Sequence, residues 1–134
     1  MAKPLHCIVV TPESTALEQT AEFVALPLYD GELGILPGHS PLIGRLGYGE
    51  MRLRSGGTTV AYYLDGGFVQ VADNTISILT NRATPAKSLN LDGAEKQLAE
   101  AIKRPTNTAE LEEIRDRAIA QSRAQVRVAR RSRI

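Results

Sequence analysis

Residues 30–46 read DGELGILPGHSPLIGRL, and three chain-turning signals fall within those seventeen positions. Asp30-Gly31 is a hairpin-type dipeptide, because glycine reaches positive φ without a steric cost. Glu32, Leu33 and Gly34 supply a short strand, after which Ile35 and Leu36 are expected to enter the core. Pro37-Gly38 turns the chain again: proline presets φ at the second turn position and glycine takes the left-handed third. Ser40-Pro41 then holds the next segment extended. A loop directed this closely has a fixed shape, and fixed shape on a loop points to docking rather than tethering.

Outward from this loop the sequence reads as β on both sides. Leu5 to Val10 is a continuous apolar run ended by Thr11-Pro12. Residues 22–28 alternate, with Val24, Leu26 and Leu28 on one face, and Met51-Arg52-Leu53-Arg54 alternates strictly, as a half-buried strand does. Residues 58–64, 68–71 and 75–79 follow, separated by Ser55-Gly56-Gly57, Asp65-Gly66-Gly67 and Asp73-Asn74, each a turn signal. Short strands at regular spacing, with no helical period among them, predict an all-β sandwich or barrel.

At Thr84-Pro85 the period changes. Leu91, Ala94, Leu98, Ala101 and Ile102 recur at helical spacing after Asn90, a plausible N-cap. Arg104-Pro105 ends that helix. Asn107 with Glu110 three positions on resembles a capping box for a second helix, and a short connection makes the pair an antiparallel hairpin. Glu110, Glu112 and Glu113 suit the positive end of that second helix; Arg127, Arg130, Arg131 and Arg133 suit its negative end. Leu111, Ile114 and Ala118 form a stripe that can pack on the first helix, whereas Gln121 and Gln125 fill the stripe further on. The last turns are therefore expected to be loosely held, because an Ala/Gln face buries little apolar area.

Composition sets the outer bounds. Apolar residues at 43% and charged residues at 23% are ordinary for a globular chain of 134 residues. With four Tyr, two Phe and no Trp, the core must be aliphatic. The single Cys7 excludes an intrachain disulfide and fits a reducing compartment. No apolar run approaches the about 18 residues of a membrane span, and no secretory signal or transit peptide is visible, so the chain is expected to be soluble. Charge is split: residues 1–86 carry a balance of −3 and residues 87–134 a balance of +4, within a total of +1. Opposite signs on two parts suggest different partners.

A search for chemistry finds little. His6 lies in a strand without a partner motif, and His39 beside Ser40 suits loop shaping or partner contact better than catalysis. No Walker A, GxSxG, HExxH or paired-cysteine spacing occurs, and the glycine pairs fit hairpin turns. Seven arginines among residues 115–133 give a strongly positive helix end. It can be a solvated face, a docking helix for an acidic protein surface, or a nucleic-acid contact; no aromatic residue is interleaved for the last of these. The residues describe a binding or coupling protein.

Three segments carry a family resemblance: GELGILPGHSPLIGRLGYGEMRLR at 31–54, YLDGGFVQV at 63–71 and NTISILTNRA at 74–83. In order and spacing they resemble the ε subunits of bacterial and chloroplast F-type ATP synthases. The resemblance implies an all-β N-terminal sandwich of about ten strands over residues 1–86 and a C-terminal antiparallel α-helical hairpin over 87–134. It further implies a non-catalytic central-stalk subunit of a proton-translocating complex that couples c-ring rotation to ATP synthesis. Its partners would be the γ subunit, the c-ring and the catalytic α and β subunits. No nucleic acid is implied. The subunit would be peripheral, at the cytoplasmic face of the bacterial inner (plasma) membrane or its organellar equivalent.

Carried over residue by residue, Glu32 and His39 are the candidate c-ring or γ contacts. Arg123, Arg127, Arg130 and Arg131 are the candidates for an inhibitory contact with the β subunit when the hairpin extends. Some bacterial members bind ATP in the folded hairpin through Leu/Ile-Asp-x-x-Arg-Ala. Here the segment is Leu91-Asp92-Gly93-Ala94-Glu95-Lys96, with Arg123 and Arg127 on the second helix. Asp92 fits, but Glu95 stands in the arginine position, and a carboxylate beside a polyphosphate repels it. No cofactor is therefore expected, ATP included. The competing account is a nucleic-acid-binding adaptor using the basic helix, in which the acidic strand-rich part has no role.

Overall fold

The computed structural model describes residues 3–132, and the chain divides into two compact units, Met1–Pro85 and Ala86–Ile134. The first unit holds β1 (Leu5–Val10), β2 (Thr15–Ala21), β3 (Phe23–Leu28), β4 (Gly31–Ile35), β5 (Leu42–Ser55), β6 (Thr58–Ala72), β7 (Thr75–Leu79) and β8 (Ala83–Pro85). Its strand order is β2-β1-β7-β6-β5-β3-β4, with β8 also paired to β6. All neighbours are antiparallel except β1 and β7, which run parallel. The order curls on itself: Glu22, just after β2, donates its N–H to the Arg54 carbonyl of β5 at 2.8 Å. Inward side chains from both ends of the order then meet in one aliphatic core. Leu5, Cys7, Val9, Val24, Leu26, Ile35, Met51, Leu53, Leu64, Ile76 and their neighbours form this β-sandwich interior.

Eight strands appear among the described residues rather than about ten, because β5 and β6 are 14 and 15 residues long. Their ladder is registered from Leu42↔Val71 to Ser55↔Thr58, with a gap between Leu46↔Gly67 and Tyr48↔Asp65. At that gap the inward phase slips by one: Leu46 is followed by Met51 and Leu53, and Leu64 by Val69 and Val71. Each long strand therefore has two halves with opposite alternation, which sequence periodicity separates into two strands. Asp65-Gly66-Gly67 is consequently no turn but the kink inside β6. Gly67 has φ +109°, and a methyl group there would lie 1.8 Å from the Leu79 carbonyl oxygen. Only glycine fits so close an approach.

The edge strand β2 carries mostly exposed side chains, and β8 is three residues long, so neither has a clear period to find. Two-residue turns close β5–β6 through Gly56-Gly57 and β6–β7 through Asp73-Asn74, all four with positive φ.

The second unit opens with a short 3₁₀ turn, Ala86–Ser88, and continues as α1 (Leu91–Ile102) and α2 (Ala109–Arg131), which pack as a hairpin. Asn90 caps α1, its Oδ1 accepting from the Gly93 N–H at 3.0 Å. The α2 cap is Thr108, not Asn107: Thr108 is extended at φ −126°, and its Oγ1 accepts from the Leu111 N–H at 3.1 Å. The Asn107–Glu110 capping box is therefore not formed.

Burial along α2 reverses the expected gradient. Ser122, Ala124, Gln125, Val126, Val128 and Ala129 are buried, whereas Ile114 is 46% exposed. The far end is the well-held end. Small side chains let a helix approach its neighbours closely, so burial needs no run of large aliphatics. The buried positions of α1, Ala94 and Ala101, follow the same rule, and Ile102 is exposed. Arg133 lies outside the described residues.

Candidate partner-binding surfaces

The loop after β4 is a formed turn. The His39 N–H donates to the Leu36 carbonyl at 3.1 Å, with Pro37 and Gly38 between them and Gly38 at φ +84°. The Gly38 N–H donates to Asn74 Oδ1 at 2.7 Å, which ties this turn to the β6–β7 turn. The His39 ring is used locally: Nδ1–H donates to the Ser40 carbonyl at 2.7 Å. Ile35 is buried as expected, but Leu36 is 57% exposed, because the turn lifts it off the core.

The kink in β5 and β6 divides the outer face of the sheet into two patches of opposite character. On the β7 side, Phe68 lies opposite Leu79 and Arg45, and Ile43 lies opposite Gln70. Val10 and Ile8 of β1 lie opposite Leu79 and Ser77 and continue the same face. Ile43, Phe68 and Leu79 are exposed at 78%, 60% and 61%. The Arg45 guanidinium sits 4.4 Å from the centroid of the Tyr29 ring, so even the nearest charge lies against an aromatic face. Aliphatic and aromatic side chains gathered on one rigid face form a patch, which single scattered apolar residues do not. Sequence reasoning passes over these residues. Their signal is that Ile43, Phe68 and Leu79 stand in phase with Arg45, Gln70 and Ser77, where a monomer places polar side chains.

Across the kink the outer face is ionic. Arg52 of β5 lies opposite Ala25 of β3, and Glu32 of β4 lies opposite Pro27, so both side chains stand on one face with small residues between them. Arg52 Nη2 donates to Glu32 Oε1 at 2.7 Å, and Nη1 donates to Glu32 Oε2 at 3.3 Å and to Glu50 Oε1 at 3.2 Å. Hydrogen bonding to Glu32 raises the Arg52 pKa above its ordinary value, partly opposed by desolvation. Next along the face, the buried Tyr63 donates its hydroxyl to Asp65 Oδ1 at 2.8 Å. Glu32 thus sits on an edge strand in an ion-pair cluster, while His39 lies beyond a turn anchored to Asn74.

On the hairpin, Arg123, Arg127, Arg130 and Arg131 are all exposed, and Arg123, Arg127 and Arg131 recur every fourth residue. Arg130 Nη2 donates to Glu95 Oε1 at 3.3 Å, joining α2 to α1. Glu95 is therefore engaged with a cation of the neighbouring helix, and the exposed Asp92 lies one turn before it. No group of three His, Cys, Asp or Glu able to hold a metal occurs among the described residues. Cys7 is fully buried, and burial pushes its thiol up to about 12, which removes it from nucleophilic chemistry at neutral pH.

Residues 4–86 match the model of the ATP synthase delta/epsilon chain β-sandwich domain. The ATP synthase epsilon chain of Rhodopirellula baltica is 48% identical over 126 residues, covering 94% of this chain and 98% of that one. The epsilon chain of Desulfitobacterium hafniense is 39% identical over 128 residues, covering 96% of each. Among solved structures, a chain of the Euglena gracilis mitochondrial ATP synthase, in an assembly of OSCP, F1 and c-ring, superposes with a TM-score of 0.83. It is 21% identical, and the match covers 94% of this chain and 81% of that one. A chain of the Tetrahymena thermophila mitochondrial central stalk and c-ring gives a TM-score of 0.69 at 18% identity, over 96% and 98%.

Proposed function

The chain belongs to the ATP synthase epsilon-chain family, and we propose on that premise that it is the non-catalytic rotor subunit of the central stalk. In this reading it couples rotation of the c-ring to ATP synthesis in the catalytic head. It binds the γ subunit and the c-ring, meets the α and β subunits through the hairpin, and lies peripherally at the cytoplasmic face of the membrane. No helix among the described residues is long and apolar enough to cross a membrane.

The observation that carries this reading is the apolar outer face around Ile43, Phe68 and Leu79, displayed on a rigid sheet. We assign it to the γ subunit. Covering a Phe side chain contributes about 1.5–3 kcal/mol, so Phe68→Ser should weaken association with γ about tenfold or more. Undiminished binding by Phe68→Ser and Ile43→Asp would sink the assignment. Glu32 and His39 are proposed for the ring, since a carboxylate on a formed edge suits a cationic loop. Family membership over nearly the whole chain leaves the nucleic-acid account without an observation in its favour.

The hairpin is proposed as an inhibitory arm whose Arg123, Arg127, Arg130 and Arg131 meet acidic groups of β. Val126, Val128 and Ala129 are buried, so the end of α2 is held more firmly than an Ala/Gln stripe suggests. ATP hydrolysis by the catalytic head, measured with the full chain and with a chain ending at Ser88, tests this. Equal hydrolysis with both would remove the inhibitory role. We also propose that the hairpin takes no ATP, supported by the Glu95–Arg130 pair. Calorimetric titration showing micromolar affinity would overturn that.

A further inference from the structure

Four side chains stand in one row across the outer face of the sheet: Val10, Leu79, Phe68 and Arg45, each opposite the next on β1, β7, β6 and β5. Three are apolar, and the fourth is a cation set directly against Phe68. Tyr29 stands beside it: its backbone N–H donates to the Arg45 carbonyl at 2.9 Å, and its ring centroid lies 4.4 Å from the Arg45 guanidinium carbon. The stack holds the guanidinium by its face and leaves the N–H donors of its edge available. Among the described residues Arg45 makes no ion pair, and its side chain donates no hydrogen bond. An exposed, aromatic-backed cation without a counter-charge thus closes one end of an apolar row.

Neighbouring strands are roughly 4.8 Å apart, and a stable interface covers about 800 Å² on each partner, a patch roughly 30 Å across. A partner seated on Phe68 and Ile43 therefore covers Arg45 as well. A cation enclosed without a counter-charge is costly, and the described residues supply none to Arg45. We propose that the γ surface docking on this face carries a carboxylate, flanked by apolar side chains, that receives the Arg45 guanidinium. This rests on the assignment of the apolar face to γ made above. The planar fork suits a carboxylate through two parallel hydrogen bonds, and a guanidinium already stacked meets it at little ordering cost. Any apolar surface could cover Phe68, but only one with a carboxylate in register avoids stranding the cation, so Arg45 sets the specificity of the contact.

The test measures rebinding of full-length variants to the organism's own γ-containing catalytic complex stripped of this subunit. Arg45→Met keeps an apolar stem and removes the charge; it should weaken binding about tenfold, the scale of a charged hydrogen bond. The loss should appear as faster dissociation, because an enclosed pair is little screened by salt. Arg45→Glu should cost about a hundredfold, since two carboxylates then face each other. Changing the Asp and Glu residues of γ to their amides, one at a time, should find a position that reproduces the Arg45→Met loss and adds nothing to it in that background. Wild-type binding by Arg45→Met, with Phe68→Ser weakened, means that only the stem of Arg45 packs; it overturns the proposal and leaves the γ assignment standing. Failure of every γ amide to couple with Arg45→Met overturns it too. Wild-type binding by Phe68→Ser refutes the γ assignment, and the proposal falls with it.

Discussion

At Gly67 an added methyl group would meet the Leu79 carbonyl oxygen at 1.8 Å and the Thr80 Cα at 2.9 Å, and neither is a flexible side-chain end. Gly67→Ala should therefore cost about 3 kcal/mol or more, measured by urea unfolding. Gly56→Ala meets open space and carries only left-handed strain, about 1–2 kcal/mol. A glycine pair in the sequence cannot reveal which of these it is, since both sites read as turns. Cys7 supplies a prediction in pH. The unfolded thiol ionises near its ordinary 9.0 while the folded one keeps its proton to about 12. Stability from this residue is thus intact below about pH 9 and falls as pH rises towards about 12, by up to about 1.4 kcal/mol per unit. Between about pH 8 and about pH 10.5 the wild type should lose about 2 kcal/mol more than Cys7→Ala in urea melts.

Between residues and molecule, the elements show what a period can and cannot tell. The hairpin was legible because Asn90, Pro105 and the helical recurrence of Leu91, Ala94 and Leu98 agree with one another. The cap of α2 is Thr108 rather than its neighbour Asn107; both are good caps, and only the backbone decides between them. Thr108→Ala should lower hairpin stability by about 1 kcal/mol, and Asn107→Ala by no more than a few tenths, in thermal melts followed by circular dichroism. Strands β5 and β6 were legible in halves: each half alternates cleanly, but the phase slip at Gly47 and Gly66 hides their continuity. Packing of α2 is hidden from the sequence because small side chains, Ser122, Ala124 and Ala129, do the filling. Ala124→Leu should accordingly destabilise by about 1–3 kcal/mol through overpacking.

For the molecule as a whole, the contacts proposed with γ and with β differ in kind, one apolar and one cationic, and salt separates them. Screening shortens the reach of exposed charges to about 10 Å at 0.1 M salt and less above it. Inhibition of hydrolysis should weaken with added salt while association with γ does not. Replacing Arg123, Arg127, Arg130 and Arg131 by Gln should abolish inhibition together with its salt dependence, leaving γ association intact. The all-β and helical parts and the turn at Gly38 follow from sequence. The apolar face and the Arg52 cluster do not, because they depend on which strands become neighbours. One of those neighbourhoods bears on how the protein is made. The parallel pairing of β1 with β7 joins His6 to Thr75, 69 positions apart. At a synthesis rate of about 5–20 residues per second, β1 emerges from the ribosome roughly 3–14 seconds before its partner exists. During that interval β1 can pair only with β2, and its second edge stays open to other nascent chains. The sandwich therefore closes late, and chaperone dependence should concentrate in the first half of translation.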